Sequence, residues 1–238
     1  MKIKEAIILA GGLGTRLKEA VPDLPKCMAP VAGKPFLYYV ISYFSKQGIE
    51  KFIFSLGYKH EIIQEYIANE FDTIQYVFSI EDEPLGTGGA IKLACTRASE
   101  KTALVLNGDT FFKIDISKLA SFHHMCGADC TLSLKPMKKF QRYGVVSLKK
   151  DYSIESFSEK KYYDEGLING GIYALNVKKF QSENLPEIFS FERDYLEALY
   201  KERRMYGVIQ DEYFIDIGIP GDYRKAQEEL ELMSRCDD

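Results

Sequence analysis

Apolar residues along the chain follow two spacings, one typical of buried strands and one typical of amphipathic helices. In the first half, short apolar runs predict strands over residues 5–9, 51–55, 75–80 and 103–106. Apolar residues spaced three and four apart predict helices over 35–46, 61–71 and 89–98. Strands that alternate with helices favour parallel pairing through right-handed crossovers. The pattern therefore predicts a Rossmann-like, doubly wound α/β sheet, mixed but mostly parallel.

The second half continues with strands, but their order is less clear. Apolar runs predict strands over residues 131–134, 145–148 and 172–175. After a turn over 220–222, an amphipathic helix is predicted over 223–233. The chain shows no internal repeat, low-complexity stretch or linker, so we expect a single domain over residues 1–238.

Charge and cysteine content narrow the classes of function. Thirty-one basic and 35 acidic residues give a net charge of −4, which argues against broad binding to nucleic acid. No apolar run approaches the ~18 residues of a membrane span, and none suits a signal peptide. We therefore expect a cytoplasmic protein that binds neither nucleic acid nor membrane. The five cysteines predict free thiols.

One short stretch combines zinc-ligand residue types in a spacing that matches no common zinc template. It contains His123, His124, Cys126 and Cys130. We interpret it as a helix end that packs against a strand rather than as a metal site.

A glycine-rich turn follows the first strand. Gly11, Gly12 and Gly14 precede Thr15 and Arg16, and such glycines let backbone N–H groups approach phosphate oxygens. The dinucleotide-binding fingerprint would need a third glycine at position 17, which is leucine, and the chain has no Gly-Lys-Ser/Thr motif. Taken alone, the turn fits either a phosphate site or a tight connection from strand to helix.

Two aspartates end apolar stretches beside glycines. Asp109 follows residues 103–106, and Asp216 lies within 214–217. Carboxylates at strand ends suit a magnesium ion that also binds substrate phosphates. Considered alone, either aspartate also fits a turn-capping role.

Seven short motifs together resemble the signature of sugar-1-phosphate nucleotidyltransferases, in that family's order and over about residues 3–225. They are Gly-Gly-Leu-Gly-Thr-Arg-Leu with Leu-Pro-Lys (11–17 and 24–26), Glu-Pro-Leu-Gly-Thr-Gly-Gly-Ala (83–90), Leu-Asn-Gly-Asp (106–109), Tyr-Gly-Val (143–145), Ser-Glu-Lys (158–160), Asn-Gly-Gly (169–171) and Ile-Asp-Ile-Gly (215–218). The resemblance implies a GT-A-like fold and transfer of a nucleotide from a nucleoside triphosphate to a sugar 1-phosphate, with Mg²⁺ as cofactor. It leaves the oligomeric state open, a homo-oligomer included. The C-terminal β-helix of some family members is not expected, because the chain has no hexapeptide repeat.

The resemblance also implies roles for individual residues. Arg16, Lys26 and Asp109 would be catalytic, and Asp109 and Asp216 would bind the metal. Gly144, Glu159, Lys160 and Asn169 would bind the sugar phosphate. The nucleotide would contact Leu9, Ala10, Gly11, Gly12, Gly14, Thr15, Arg16, Lys26, Glu81, Gly86, Thr87 and Asp109. Taken alone, Glu159 and Lys160 fit a solvated run of charges better.

Glu81 favours GTP among the nucleotides. A carboxylate can accept both donors of guanine, N1–H and the N2 amino group, whereas the other bases present an acceptor beside their donor. The alternative is a solvated loop acid, because Glu81, Asp82 and Glu83 are adjacent and the register could slip.

Segments 58–60, 79–89 and 191–194 resemble the branch that forms GDP-heptose for bacterial surface polysaccharides such as lipopolysaccharide and capsule. Enzymes for mannose 1-phosphate and N-acetylmuramate 1-phosphate share much of this pattern. A glycosyltransferase is disfavoured because the chain has no Asp-x-Asp pair. A silent regulatory subunit is disfavoured because Arg16, Lys26, Asp109 and Asp216 are all present.

Overall fold

A nine-stranded mixed sheet runs through the computed structural model, which describes residues 2–12 and 24–236. Its strands follow the order β10-β9-β11-β6-β1-β4-β5, with β8 paired to β11 and β12 paired to β8. The bounds of these strands are β1 Glu5–Leu9, β4 Lys51–Leu56, β5 Gln75–Ile80, β6 Thr102–Asn107, β8 Cys130–Phe140, β9 Val145–Leu148, β10 Ile154–Ser158, β11 Tyr163–Asn176 and β12 Met205–Ile209. Two further pairs are β2 (Pro30–Val31) with β3 (Lys34–Pro35), and β7 (Thr110–Phe112) with β13 (Phe214–Asp216).

The first half of the sheet is parallel, as predicted. Strand β1 is buried because its apolar residues meet helices on both faces of the sheet. It pairs with β4 and β6, so that Ile7 lies opposite both Ile53 and Val105. In the same register Leu9 faces Ser55 and Asn107. The carboxyl ends of these strands therefore meet at one edge of the sheet, which is where ligands bind in such folds.

The second half is built around the long strand β11, which runs antiparallel to its neighbours. Tyr173 of this strand pairs with Val105 of β6, and Ile168 pairs with Val145 of β9. Its pairing with β8 is irregular between Asn169 and Tyr173. Within that irregularity Gly171 has a φ of +72°, which a side chain rarely tolerates. The antiparallel strands therefore extend the sheet from β6, beside the parallel half.

The described chain (residues 2–12 and 24–236) has six α-helices, five of which connect strands, while the sixth follows the last strand. They are α1 Phe36–Lys46, α2 His60–Glu70, α3 Gly86–Ala94, α4 Ile116–Met125, α5 Val177–Gln181 and α6 Pro220–Cys236. A π-helix spans Phe191–Glu197, and 3-10 turns span Lys26–Met28 and Cys95–Arg97. Two buried hydrophobic clusters lie on the two faces of the sheet. The predicted doubly wound α/β fold is confirmed.

The third and the last helices differ most from prediction, which placed them over 89–98 and 223–233. The third helix begins at Gly86 and ends at Ala94, and residues 95–97 continue as a 3-10 turn rather than as α-helix. The last helix begins at Pro220 rather than at 223, since proline suits the first helical position.

The histidine and cysteine stretch is structural. His123 is buried at the end of α4, and its Nδ1 lies 2.9 Å from Thr131 Oγ1. Burial lowers the pKa of His123 to about 4. Cys27, Cys95, Cys126 and Cys130 are free thiols. No group of three or more potential ligand residues is placed to hold a metal within the described ranges, and no helix found there is long and apolar enough to cross a membrane.

Candidate active site

Two cavities open at the carboxyl edge of the parallel strands, with volumes of about 810 and 510 Å³. The first lies beside the turn after β1 and the loop before α3. The second lies between β9, β10 and β11. Both are lined by Lys26, Asn107, Asp109 and Glu192. They can therefore hold two ligands that meet at these four side chains.

The first cavity collects the residues predicted to bind the nucleotide. Those that line it are Leu9, Ala10, Gly11, Gly12, Lys26, Glu81, Gly86, Thr87 and Asp109. Gly14, Thr15 and Arg16 lie outside the described residues.

Glu81 is held against the glycine turn at the mouth of this cavity. Its backbone N–H donates to Leu56 O at 2.9 Å, and its Oε2 accepts the backbone N–H of Leu85 at 3.0 Å. A Cβ at Gly57 would lie 2.7 Å from Glu81 Oε1, so a glycine is needed beneath the carboxylate. Burial raises the pKa of Glu81. Asp82 and Glu83 are exposed, so Glu81 is the acid of the three that the fold draws inward.

Lys26 extends from the 3-10 turn toward the two predicted metal ligands. Its side chain is 12% exposed, and its ammonium pairs with the Asp109 carboxylate and lies 3.6 Å from Asp216 Oδ1. The turn begins directly after Pro25. One cation therefore lies between two carboxylates that are far apart in the sequence.

The two aspartates are brought together by the small sheet of β7 and β13, in which Asp216 pairs with Thr110. The backbone N–H of Ile217 donates to Asp109 O at 3.1 Å, and that of Gly218 donates to Asp216 Oδ1 at 2.7 Å. Because both carboxylates converge on one ammonium, they could also reach one shared divalent cation. Two carboxylates with open space beside them suit an ion that completes its coordination with substrate phosphates and water.

Tyr143 also contacts Asp216. Its hydroxyl donates to Asp216 Oδ2 at 3.5 Å, and the Arg142 guanidinium lies over its ring at 5.4 Å. Burial, followed by the charge of Asp216, raises the pKa of Tyr143 well above its usual range. The phenol therefore stays protonated and acts as a hydrogen-bond donor.

The second cavity contains all four residues predicted to bind the sugar phosphate, namely Gly144, Glu159, Lys160 and Asn169. Glu159 and Lys160 are exposed at its rim. A Cβ at Gly144 would lie 2.4 Å from Ser158 O, so the close approach of β9 to β10 requires this glycine.

Asn169 is already engaged by the fold. It donates from Nδ2 to the Tyr173 hydroxyl at 2.8 Å and accepts at Oδ1 from the Gly171 backbone at 3.0 Å. These bonds fix the irregular part of β11 that forms the cavity wall. Asn169 therefore shapes the predicted sugar site as well as lining it.

Cys27, next to Lys26, is an apolar filler. Its side chain is buried, and desolvation raises the pKa of the thiol to about 12. The reactive thiolate is therefore not formed near neutral pH.

Sequence reasoning missed the role of Glu192, which lines both cavities from the start of the π-helix. Its Oε2 accepts a hydrogen bond from Thr87 Oγ1 at 2.9 Å. The resemblance includes segment 191–194, but without the fold nothing in the sequence connects that segment to the base loop.

Comparison with known proteins identifies relatives over nearly the whole chain. Residues 5–232 match the Nucleotidyl transferase family. The chain is 53% identical to D-glycero-alpha-D-manno-heptose 1-phosphate guanylyltransferase of Aneurinibacillus thermoaerophilus, over 95% of this chain and 98% of that protein. It is 49% identical to the enzyme of the same name from Campylobacter jejuni, over 92% and 96% of the two chains.

A solved structure has the same fold. The crystal structure of HddC from Yersinia pseudotuberculosis superposes with a TM-score of 0.86 at 38% identity, over 96% of this chain and 100% of that one. HddC complexed with GMP-PN gives a TM-score of 0.85 over the same shares. The matched length, the shared fold and the two joined cavities lead to one conclusion, that this chain belongs to the nucleotidyl transferase family.

Proposed function

We propose that this protein transfers GMP from GTP to D-glycero-α-D-manno-heptose 1-phosphate and releases pyrophosphate. The observation that carries this proposal is the meeting of two cavities at Lys26 and Asp109. One cavity suits a nucleoside triphosphate beside the glycine turn, and the other suits a sugar phosphate. The relatives that are 49–53% identical bear the name of this activity.

The chemistry requires positioning and charge neutralisation more than acid–base catalysis. A phosphate monoester has a second pKa of about 6, so the attacking oxygen of the sugar phosphate is already anionic near pH 7. This oxygen forms a bond to the α-phosphorus of GTP, and the bond from that phosphorus to the pyrophosphate oxygen breaks on the opposite side. We infer that the shared boundary of the cavities holds the two substrates for this in-line attack.

Lys26 would stabilise the charge that develops at the α-phosphate. Its ammonium is held by Asp109 and Asp216, so binding of nucleotide phosphates would exchange these carboxylate contacts for phosphate contacts. We propose that Arg16 contributes a second cation to the triphosphate, on the basis of the glycine-turn motif alone.

We propose Asp109 and Asp216 as ligands of a magnesium ion. When bound, Mg²⁺ supplies charge neutralisation at the α-phosphate and the leaving pyrophosphate. The convergence of both carboxylates on the Lys26 ammonium supports this assignment.

Guanine selectivity is assigned to Glu81. Its carboxylate lies half-buried in the first cavity, where it can accept N1–H and the N2 amino group together. Gly144, Glu159, Lys160 and Asn169 are assigned to the sugar phosphate. Lys160 would bind the phosphate, and Glu159 would accept hydrogen bonds from sugar hydroxyls. As a reaction that consumes GTP, this activity is expected in the cytoplasm.

A direct test mixes the purified protein with Mg²⁺, each nucleoside triphosphate in turn, and the 1-phosphates of heptose, mannose and N-acetylmuramate. We expect pyrophosphate release with GTP and heptose 1-phosphate, together with GDP-heptose as identified by mass spectrometry. Faster release with UTP would contradict the role of Glu81. Release of no pyrophosphate from any pair would contradict the proposed activity.

A further inference from the structure

Glu192 lies at the boundary of the two cavities, and the chemistry described above gives it no role. Of the other three shared residues, Asn107 ends β6, Asp109 follows that strand in a turn, and Lys26 begins the 3-10 turn after Pro25. Glu192 comes from the π-helix and reaches the boundary from there. Its two carboxylate oxygens have different surroundings.

One oxygen of Glu192 is anchored to the base loop, Glu83–Ala90. Thr87 Oγ1 donates to Oε2 at 2.9 Å, and Ser190 Oγ donates to the same oxygen at 3.3 Å. The Thr87 hydroxyl in turn accepts the backbone N–H of Phe191 at 2.9 Å. Thr87 lines the first cavity and not the second. Oε2 is therefore engaged on the nucleotide side.

The base loop and the segment before the π-helix are packed without room for adjustment. The backbone N–H of Gly88 donates to Phe189 O at 2.9 Å, and that of Phe189 donates to Leu85 O at 3.0 Å. A Cβ at Gly86 would lie 2.6 Å from Phe189 O, and one at Gly88 would lie 2.1 Å from the Phe189 ring. The position of Glu192 is thus set by the loop that contacts the nucleotide.

The second oxygen is available to a ligand. Within residues 2–12 and 24–236, the protein donors to Glu192 are the hydroxyls that bind Oε2. The residues that follow on the π-helix, Arg193, Leu196 and Glu197, line the second cavity alone. A carboxylate repels the phosphate group but accepts hydrogen bonds from hydroxyl groups. Oε1 therefore suits a sugar hydroxyl.

We propose that Glu192 is a specificity-determining residue whose Oε1 accepts a hydrogen bond from a ring hydroxyl of the sugar 1-phosphate, while Thr87 fixes Oε2 to the base loop. The inference rests on the proposed function, because it takes the second cavity as the sugar site. It assigns to Thr87 a positioning role toward the sugar in addition to its contact with the nucleotide cavity.

The test compares Glu192→Ala and Glu192→Gln with Glu202→Gln, which changes an exposed carboxylate that lines neither cavity. Loss of a hydrogen bond to a charged acceptor predicts a rise of about 10- to 100-fold in the KM for heptose 1-phosphate with Glu192→Ala. We expect a smaller rise with Glu192→Gln and none with Glu202→Gln. The KM for GTP should stay within about threefold in each, since the nucleotide pocket keeps its other contacts.

Thr87 variants test whether the Thr87 hydroxyl positions Glu192 toward the sugar or only supports the base loop. Thr87→Val removes the hydroxyl but keeps the shape, so it should raise the KM for heptose 1-phosphate, and Thr87→Ser should restore it. If Glu192→Ala and Thr87→Val raised the KM for GTP while that for heptose 1-phosphate stayed at the wild-type value, Glu192 would be a support of the base loop and the proposal would be wrong.

Deoxy analogues of the sugar phosphate identify the partner hydroxyl. Wild-type protein, saturated with a non-hydrolysable GTP analogue, should bind one deoxy analogue more weakly in calorimetry, and Glu192→Ala should bind that analogue and the parent sugar equally. Equal losses with every analogue would overturn the inference. Failure of wild-type protein to form any GDP-sugar would overturn the proposed function instead. Sugar binding without Glu192 dependence would overturn only the inference.

Discussion

The two cavities are built by contrasting parts of the same sheet. The first cavity, which we propose holds the nucleotide, lies at the carboxyl ends of parallel strands, where Gly11 follows β1 and Asp109 follows β6 in short turns. The second cavity, which we propose holds the sugar phosphate, is walled by antiparallel strands. Asn169 lies within β11 and Glu192 on the distant π-helix, whereas Gly144, Glu159 and Lys160 lie in loops beside β9 and β10. An apolar strand followed by a glycine turn can be recognised in the sequence as the edge of a ligand site, whereas the contacts that bring Glu192 to the second cavity cannot.

The two cavities also differ in how exposed their lysine side chains are. Lys26, at the point shared by both cavities, has a side chain 12% exposed and paired with a carboxylate. Lys160, on the outer wall of the second cavity, is exposed. Variation of the wall should therefore change which sugar binds, while variation of the shared point should stop the reaction with any sugar.

The largest effect is expected at the shared point. Lys26→Met and Asp109→Asn should each lower kcat about 10²- to 10³-fold or more, because Lys26 is proposed to stabilise the charge of the transferred phosphate and Asp109 to hold the Mg²⁺ that would neutralise it. The measurement is steady-state pyrophosphate release over a range of Mg²⁺ concentrations. Circular dichroism and thermal melting serve as folding controls. A folded variant with near-normal kcat would contradict the mechanism.

Glu81→Gln tests whether the parallel half selects the base. A glutamine offers one acceptor and one donor, which suits uracil better than guanine, so kcat/KM for GTP should fall about 10- to 100-fold and that for UTP should rise. Because burial raises the pKa of Glu81, the wild-type KM for GTP should increase on acidification, and the increase should begin at a higher pH than for an ordinary glutamate. Glu202→Gln, which changes an exposed carboxylate that lines neither cavity, is the control. An unchanged preference for GTP in Glu81→Gln would exclude this role.

Glu5→Gln tests the opposite edge of the parallel half, far from either cavity. Glu5 is 3% exposed, pairs with Lys51 at 3.0 Å and accepts the backbone N–H groups of Ser99 and Glu100. Its removal should lower the free energy of unfolding by about 1 to 3 kcal/mol and leave KM unchanged. Urea titration measures the loss.

The pH dependence of that loss follows from the direction of the shift. The contacts of Glu5 lower its pKa despite burial, so the folded carboxylate binds its proton less readily than the unfolded one. The stabilisation is present above about pH 4.3, the unfolded value, and is lost as the pH falls through the folded pKa. The difference between wild type and Glu5→Gln should shrink over that acidic range. A constant difference down to pH 2 would argue against an ionised Glu5.

The smallest effect is expected at the exposed wall. Lys160→Ala should raise the KM for heptose 1-phosphate about tenfold, since a solvated cation contributes modestly to phosphate binding, and should leave the KM for GTP unchanged. Lys161→Ala is the matched control, because Lys161 is equally exposed and lies over the Tyr163 ring. Equal effects of both variants would indicate that the positive charge of this segment attracts the phosphate at a distance, rather than that Lys160 contacts it.

The same contrast explains what the sequence could predict. The parallel half could be predicted because each of its strands is an apolar run followed by a turn, and helices separate them in the chain. The antiparallel order could not, since Tyr163–Asn176 contains polar residues and glycines that pair only once the sheet exists. That Asp109 and Asp216 lie together could be predicted only from the family motifs. The contact between Thr87 and Glu192 joins segments with no local sequence signal.

The position of β6 has a consequence for the kinetics of folding. In the sheet, β6 pairs with β1 near the start of the chain and with β11 far beyond it. The part of the sheet next to both cavities therefore forms only when these three distant segments have paired. Contacts of such long sequence separation close late and slowly. A nucleotide that needs this finished part of the sheet stabilises the native state and not the preceding transition state. GTP should therefore lengthen the lifetime of the folded protein without hastening its formation.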